Sequence, residues 1–258
     1  MFEWRRFLRL AGAHWAEYRR GYLWFFAVGI AIQACVWLVA TGGGAHAQVF
    51  GADVQLAVYA CGLVASGALF AGRYFEALGT RESALSVLMR PASGFEKFLL
   101  AFLIVGVLYP IAYTLAFQAC NLPAAMLAKA ANATSAHPLQ GPDADFGPYL
   151  PFIGHKRGMA EYPLFLAASG LQALMVCASL YFRRLAMLKG FMLAFVLWLL
   201  VMLLAAVSDG NPGRLFAIWS GGPGAPAALQ ALSLLVWIGV PLLLWASAYF
   251  LVRERELQ

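Results

Sequence analysis

Charge is what this sequence lacks. Asp, Glu, Lys and Arg make up only 12% of its 258 residues, while 62% are hydrophobic. A water-soluble domain carries about 25% charged residues, so an ordinary soluble protein is excluded and much of the apolar surface must face lipid. Cysteine is scarce as well. The 4 cysteines, Cys35, Cys61, Cys120 and Cys177, contain no CxxC pair, so neither a zinc framework nor a disulfide scaffold is signalled. They read as small buried hydrophobes within apolar stretches.

Other absences exclude whole chemistries. There is no GxxxxGK[ST] loop and no strand–GxGxxG–helix unit, so a nucleotide, if one is used, must be bound by another chain. No HExxH occurs, and His14, His46, His137 and His155 are scattered; no metal ligand set is expected. The long apolar runs hold no His or Asp, which removes the base of a serine protease and the paired acids of an aspartyl protease working inside a membrane. No catalytic residue is expected. A charged relay is also missing, which argues against an ion-coupled pump.

What is present is apolar length. Crossing a hydrocarbon core of ~30 Å takes about 20 residues of helix, and six runs qualify: 22–40, 54–74, 98–119, 163–182, 190–207 and 229–252. The expectation is an all-α membrane protein with six transmembrane helices. With the N-terminus inside, every Lys and Arg except Lys129, Lys156, Arg157 and Arg214 falls on the cytoplasmic side. The positive-inside rule selects this orientation and puts both termini in the cytoplasm. The net charge of +6 is then a collar for anionic lipid, with no nucleic-acid partner implied.

Residues 1–21 read as a separate element. Trp4, Phe7, Leu8, Ala11, Trp15 and Tyr18 recur at helical spacing, with Arg5, Arg6, Arg9 and Arg20 opposite. This pattern predicts an amphipathic helix lying in the cytoplasmic interface, the alternative being a simple extension of the first span. Residues 22–258 form the six-helix domain. A long outer loop is expected at 121–162, with its Ala-rich start able to form a short helix. Few polar residues lie inside the runs: Gln33, Gln55, Ser66, Gln118 and Gln172, with Ser169 and Ser179. Such residues either line a passage or bond between helices, and the first five are the candidates for a translocation path.

The loop after the second run has more organisation than a connector needs. Thr80 can cap a short helix to about Met89, Pro91 stops it, and Ser93-Gly-Phe-Glu96 is a capping box opening the third run. The segment from Glu82 to Lys97, with Met89-Arg90-Pro91-Ala92-Ser93 at its turn, resembles the corresponding loop of ATP-binding-cassette transporter permeases of the type-2 exporter family. There a leucine-rich stretch leads to an LP-[VA]-S-R-like turn followed by a basic residue. Gly94 stands where that basic residue is usual, and Lys97 is the nearest substitute.

The resemblance implies a membrane-spanning permease subunit in a bacterial inner (plasma) membrane. Residues 1–21, with Trp4, Phe7, Leu8 and Trp15, would be the connecting or elbow helix. The stretch at about 80–90 would be the coupling helix, meeting a separate ATPase subunit through Arg81, Glu82, Leu85, Ser86, Met89 and Arg90. ATP and Mg would sit on that partner, with no cofactor in this chain, and a second permease chain would complete a homo- or heterodimer. Two other classes fit the composition: a membrane scaffold or sensor subunit without transport, and a membrane enzyme acting on lipid through His137, Asp143, Asp145 or His155.

Overall fold

The computed structural model describes residues 3–41, 51–74, 92–134, 147–151, 161–182, 185–207 and 235–257. All regular structure among them is helical. We number the helices α1 (Trp4–Thr41), α2 (Ala52–Tyr74), α3 (Gly94–Thr134), α4 (Glu161–Tyr181), α5 (Ala186–Val207) and α6, which opens at Leu235–Gly239 and continues as Val240–Leu257. Four of them, α1 to α4, contain a segment long and apolar enough to cross a membrane, and Ala186–Leu200 of α5 is a shorter apolar helix. The run expected from 229 lies partly outside the described residues.

Helix α1 differs from the sequence reading. No break separates residues 4–21 from the first span: 38 residues form one helix, about 57 Å long at 1.5 Å per residue. Nothing in the sequence ends it. The junction contains no proline, and Gly21 has open space around it; one helical glycine costs only about 1 kcal/mol. The alternative of a simple extension describes the helix.

The third run also reaches further than expected. Its capping box forms as read, with Ser93 Oγ accepting from the Glu96 amide and the Glu96 side chain accepting from the Ser93 amide. The helix then continues past Asn121, through Pro123, to Thr134. Residues 121–134 are therefore helical and not part of a loop. The Ala-rich stretch following Pro123 favours helix strongly enough to offset one missing N–H donor.

Two helices widen just before a proline. A π-helical segment, Phe102–Leu108, precedes Pro110 in α3, and another, Leu235–Gly239, precedes Pro241 in α6. Proline offers no N–H and its ring crowds the carbonyl four residues back. Bonding at i→i+5 is one way to accommodate both; the Tyr109 amide, for instance, donates to Ile104 O. The wider α3 segment meets α6 directly, since a Cβ at Gly106 would lie 3.4 Å from the Trp245 ring.

Helices α1 and α3 run in the same direction and touch at several levels. Phe7 and Leu10 pack with Leu100, Cys120 Sγ approaches Ile30 O at 3.9 Å, and Trp37 meets Phe117 edge-on. The main core lies between α2, α3, α4 and α6, around Tyr59, Leu63, Val105, Met175 and Trp245. An aromatic column threads it. Ring centroids step from Tyr22 to Phe70 (5.4 Å), Tyr109 (4.6 Å), Tyr113 (6.4 Å), Tyr59 (5.6 Å) and Tyr149 (5.7 Å). Much of the remaining apolar surface is bare, including Trp24, Val28 and Ile32 on α1 and Met192, Phe195 and Trp198 on α5. That pattern suits lipid contact.

Candidate functional site

Two polar constellations stand out in this apolar bundle, one at the start of α3 and one about two-thirds of the way along it. The first centres on Glu96, which is fully buried. Its carboxylate closes the α3 cap through the Ser93 amide at 3.0 Å and also accepts from α1. Arg6 Nη2 donates to Oε1 at 2.8 Å and Arg6 Nε to Oε2 at 2.9 Å, a bidentate pair. The Glu3 amide adds a bond at 3.1 Å. Glu96 stands ahead of the apolar run that begins at Phe98, outside the spanning segment. There the Arg6 hydrogen bonds hold its carboxyl down at about 2, against desolvation that pushes the other way. Nearby, His14 is buried, shares a 2.6 Å hydrogen bond with the Tyr22 hydroxyl, and lies against the Tyr18 and Tyr74 rings.

The second constellation is built of side-chain amides farther along α3. Gln55 of α2 and Asn121 of α3 are both fully buried. Gln55 Oε1 accepts from the Tyr149 amide at 2.8 Å and from Asn121 Nδ2 at 3.0 Å. Gln55 Nε2 donates to Gly147 O at 3.1 Å, and Gln118 Nε2 donates to Tyr149 O at 2.7 Å. These bonds hold the segment 147–151 against the helices, with the Tyr149 ring buried on Tyr59. A polar atom shielded from water needs such a partner, since an unmet amide costs roughly 1–3 kcal/mol.

Between the two lies a third polar pair. The Tyr109 hydroxyl donates to Ser66 Oγ, which itself donates to Gly62 O. One residue on, Gly67 leaves room for Gln172 of α4: a Cβ there would be 2.7 Å from Gln172 Nε2 and 3.3 Å from Tyr109. Gln172 is 1% exposed, and neither end of its carboxamide has a partner among the described residues. Trp245 Nε1 donates to Ser169 Oγ at 3.2 Å close by in sequence.

The candidate path residues thus fall into groups. Gln55 and Gln118 meet at Tyr149, where their bonds are to this chain's own backbone, and Ser66 and Gln172 flank the same stretch of α2. Gln33 lies apart, half-buried on α1 with Nε2 unpartnered among the described residues. On the first turns of α1, Phe7 is buried, whereas Trp4, Leu8 and Trp15 are more than half exposed. The expected apolar face is therefore two faces, an inner one with Phe7, Leu10 and His14 and an outer one open to lipid. Arg81, Glu82, Leu85, Ser86, Met89 and Arg90 lie outside the described residues. So do His137, Asp143, Asp145 and His155.

The cysteines depart from the expectation of burial. Cys35 and Cys61 are exposed, Cys120 and Cys177 are partly so, and all four are free. Helix faces turned to lipid accept a small apolar residue as readily as a core does. Sequence reasoning found Glu96 as a cap but missed its partner Arg6, 90 positions away. It also missed Asn121, which sits at the edge of an apolar run and reads as the start of a loop.

The described residues define an all-helical protein with helices fit to cross a membrane. Compared with protein families, curated proteins and solved structures, the chain matches none.

Proposed function

We propose that this chain is the membrane-spanning permease subunit of an ATP-binding-cassette exporter. In this reading six helices cross a bacterial inner membrane with both termini in the cytoplasm, and a separate ATPase subunit supplies the work. Two permease chains pair to enclose the path. The observation that carries the reading is the position of Glu96. Residues 80–90 are the proposed lever, and α3 begins immediately after them. Its first turn is fixed by one carboxylate that also grips the tip of α1 through Arg6 and the Glu3 amide. A push delivered to that turn is passed to two long helices together, which suits a subunit driven mechanically from outside. The loop motif around Met89–Ser93 supports the same reading.

The test is reconstitution. The chain is expected to co-purify with an ATPase subunit encoded beside it, and to stimulate that subunit's ATP hydrolysis. Replacing residues 80–90 by a Gly/Ser linker should leave insertion intact and abolish the stimulation. Unchanged coupling in the linker variant, or solute movement by the chain alone in liposomes, would overturn the proposal.

A further inference from the structure

Gln55 contacts the segment 147–151 in a particular way. It donates to the carbonyl of Gly147 and accepts from the amide of Tyr149, two residues on. That is the pairing one strand of backbone makes with another, performed here by a side-chain amide. Gln118 takes the carbonyl two residues on from Gly147, that of Tyr149. Asn121 holds Gln55 in register by donating to the same oxygen that receives the Tyr149 amide. The side chain between these backbone contacts, Tyr149, is 3% exposed. Its ring sits 5.7 Å from that of Tyr59, which packs in turn on Phe117 and Phe165. Pro148 and Pro151 need no donor satisfied, and their fixed backbone lowers the entropy lost on docking.

We infer that Gln55, Gln118, Asn121 and the aromatic pocket at Tyr59 form a seat for extended polypeptide carrying an aromatic side chain. The chain's own Gly147–Pro151 occupies it as a removable stopper. The seat lies at the end of the bundle away from Arg6. Two features make it a seat for peptide as a chemical class. Gln55 and Gln118 address main-chain atoms, so most residues could stand at the flanking positions. One ring pocket supplies the selectivity. The buried oxygens Gln118 Oε1 and Asn121 Oδ1 remain unpartnered among the described residues, leaving acceptor capacity for a ligand with further N–H groups. A tethered segment competes at an effective concentration of about millimolar order, so an external peptide binds well only once the stopper is gone.

The experiment uses the full chain in nanodiscs with residues 147–151 replaced by Gly and Ser. The probe is a dye-labelled, end-capped peptide Gly-Pro-Tyr-Leu-Pro, followed by fluorescence polarisation. Saturable binding is expected, at least tenfold weaker to the parent chain, to the replaced chain carrying Gln55→Leu, and for a peptide with Ala in place of Tyr. Equal binding of a scrambled peptide, or no binding by a replaced chain that keeps its helical circular dichroism and elution profile, overturns the inference. A second measurement does not depend on that replacement folding. In the parent chain the Tyr149 amide, which donates to Gln55 Oε1, should exchange with deuterium at least tenfold faster when Gln55→Leu is made. An unchanged rate would mean that Gln55 does not hold the stopper. Neither readout involves an ATPase, so failure here is separable from failure of the exporter reading.

Discussion

Arg6 and Glu96 form a bidentate ion pair across 90 positions of sequence, and the buried carboxylate in it simultaneously caps α3. One group therefore closes a helix locally and ties down a distant one. Arg6→Met should leave the cap standing but free the tip of α1, raising hydrogen exchange over residues 4–10 with little change across α3. Glu96→Ala should loosen both, and should lower the melting temperature in detergent more than Arg6→Met does. Ser93→Ala, which removes only the hydroxyl cap, is expected to cost about 1 kcal/mol and leave α1 exchange unchanged.

The same carboxylate sets an acid limit. Its folded-state value, about 2, lies below the ordinary 4.5, so the stability it contributes is complete above 4.5. That contribution is lost as pH falls toward 2 and the unfolded chain binds the proton first. Melting temperatures of the parent should drop between pH 5 and pH 3, and Glu96→Gln should flatten that drop. Parallel profiles for the two proteins would place the acid sensitivity elsewhere.

Two buried glutamines should answer oppositely to the same substitution. Gln55→Leu strands the Tyr149 amide, Asn121 Nδ2 and Gly147 O at once. A single interhelical hydrogen bond in a membrane protein averages about 0.6 kcal/mol, but several lost together with buried groups left unmet should cost about 1–3 kcal/mol. Gln172→Leu removes a carboxamide that has no partner among the described residues, and should be neutral or stabilising. Denaturation in mixed micelles compares them; an equal loss at both positions would mean that Gln172 is bonded in the assembled protein.

Gly67 tests the packing of α2 on α4. Its missing Cβ leaves the space that Gln172 Nε2 approaches. Gly67→Ala should cost about 1–3 kcal/mol by overpacking, and Gln172→Ala in the same chain should recover a large part of it. Additive losses in that double-mutant cycle would rule out the contact.

Leu185, immediately before α5, has a φ of 54°, a left-handed conformation that a branched side chain resists. Its side chain is 69% exposed, so little packing is at stake. Leu185→Gly should raise stability by roughly 1 kcal/mol, read as a higher melting temperature.

How much of this was legible in the residues depends on distance along the chain. The uncharged run from Phe98 onward announces a helix because each turn repeats the same solvent preference. The cap at Ser93–Glu96 is legible because both partners lie within one turn. Even so, the end of α3 was misplaced, because Pro123 and Asn121 carry loop-like propensities that tertiary packing and an Ala-rich continuation override. The partner of Glu96 could not be read, since Arg6 belongs to a basic cluster whose members look equivalent until α1 is laid beside α3. Gln55 and Gln172 are alike in sequence as lone amides within apolar runs. Only the surroundings separate one whose bonds fasten a segment from one left unmet.

The parallel contact of α1 with α3 has a mechanical consequence. The two longest helices among the described residues are joined at two levels, by Arg6 with Glu96 at their starts and by Trp37 with Phe117 farther along both. Neither can lean without carrying its neighbour, so together they act as a single stiff beam. Separating α1 from α3 requires breaking the charged joint and the aromatic one together, so a rearrangement of this protein carries the two as one body.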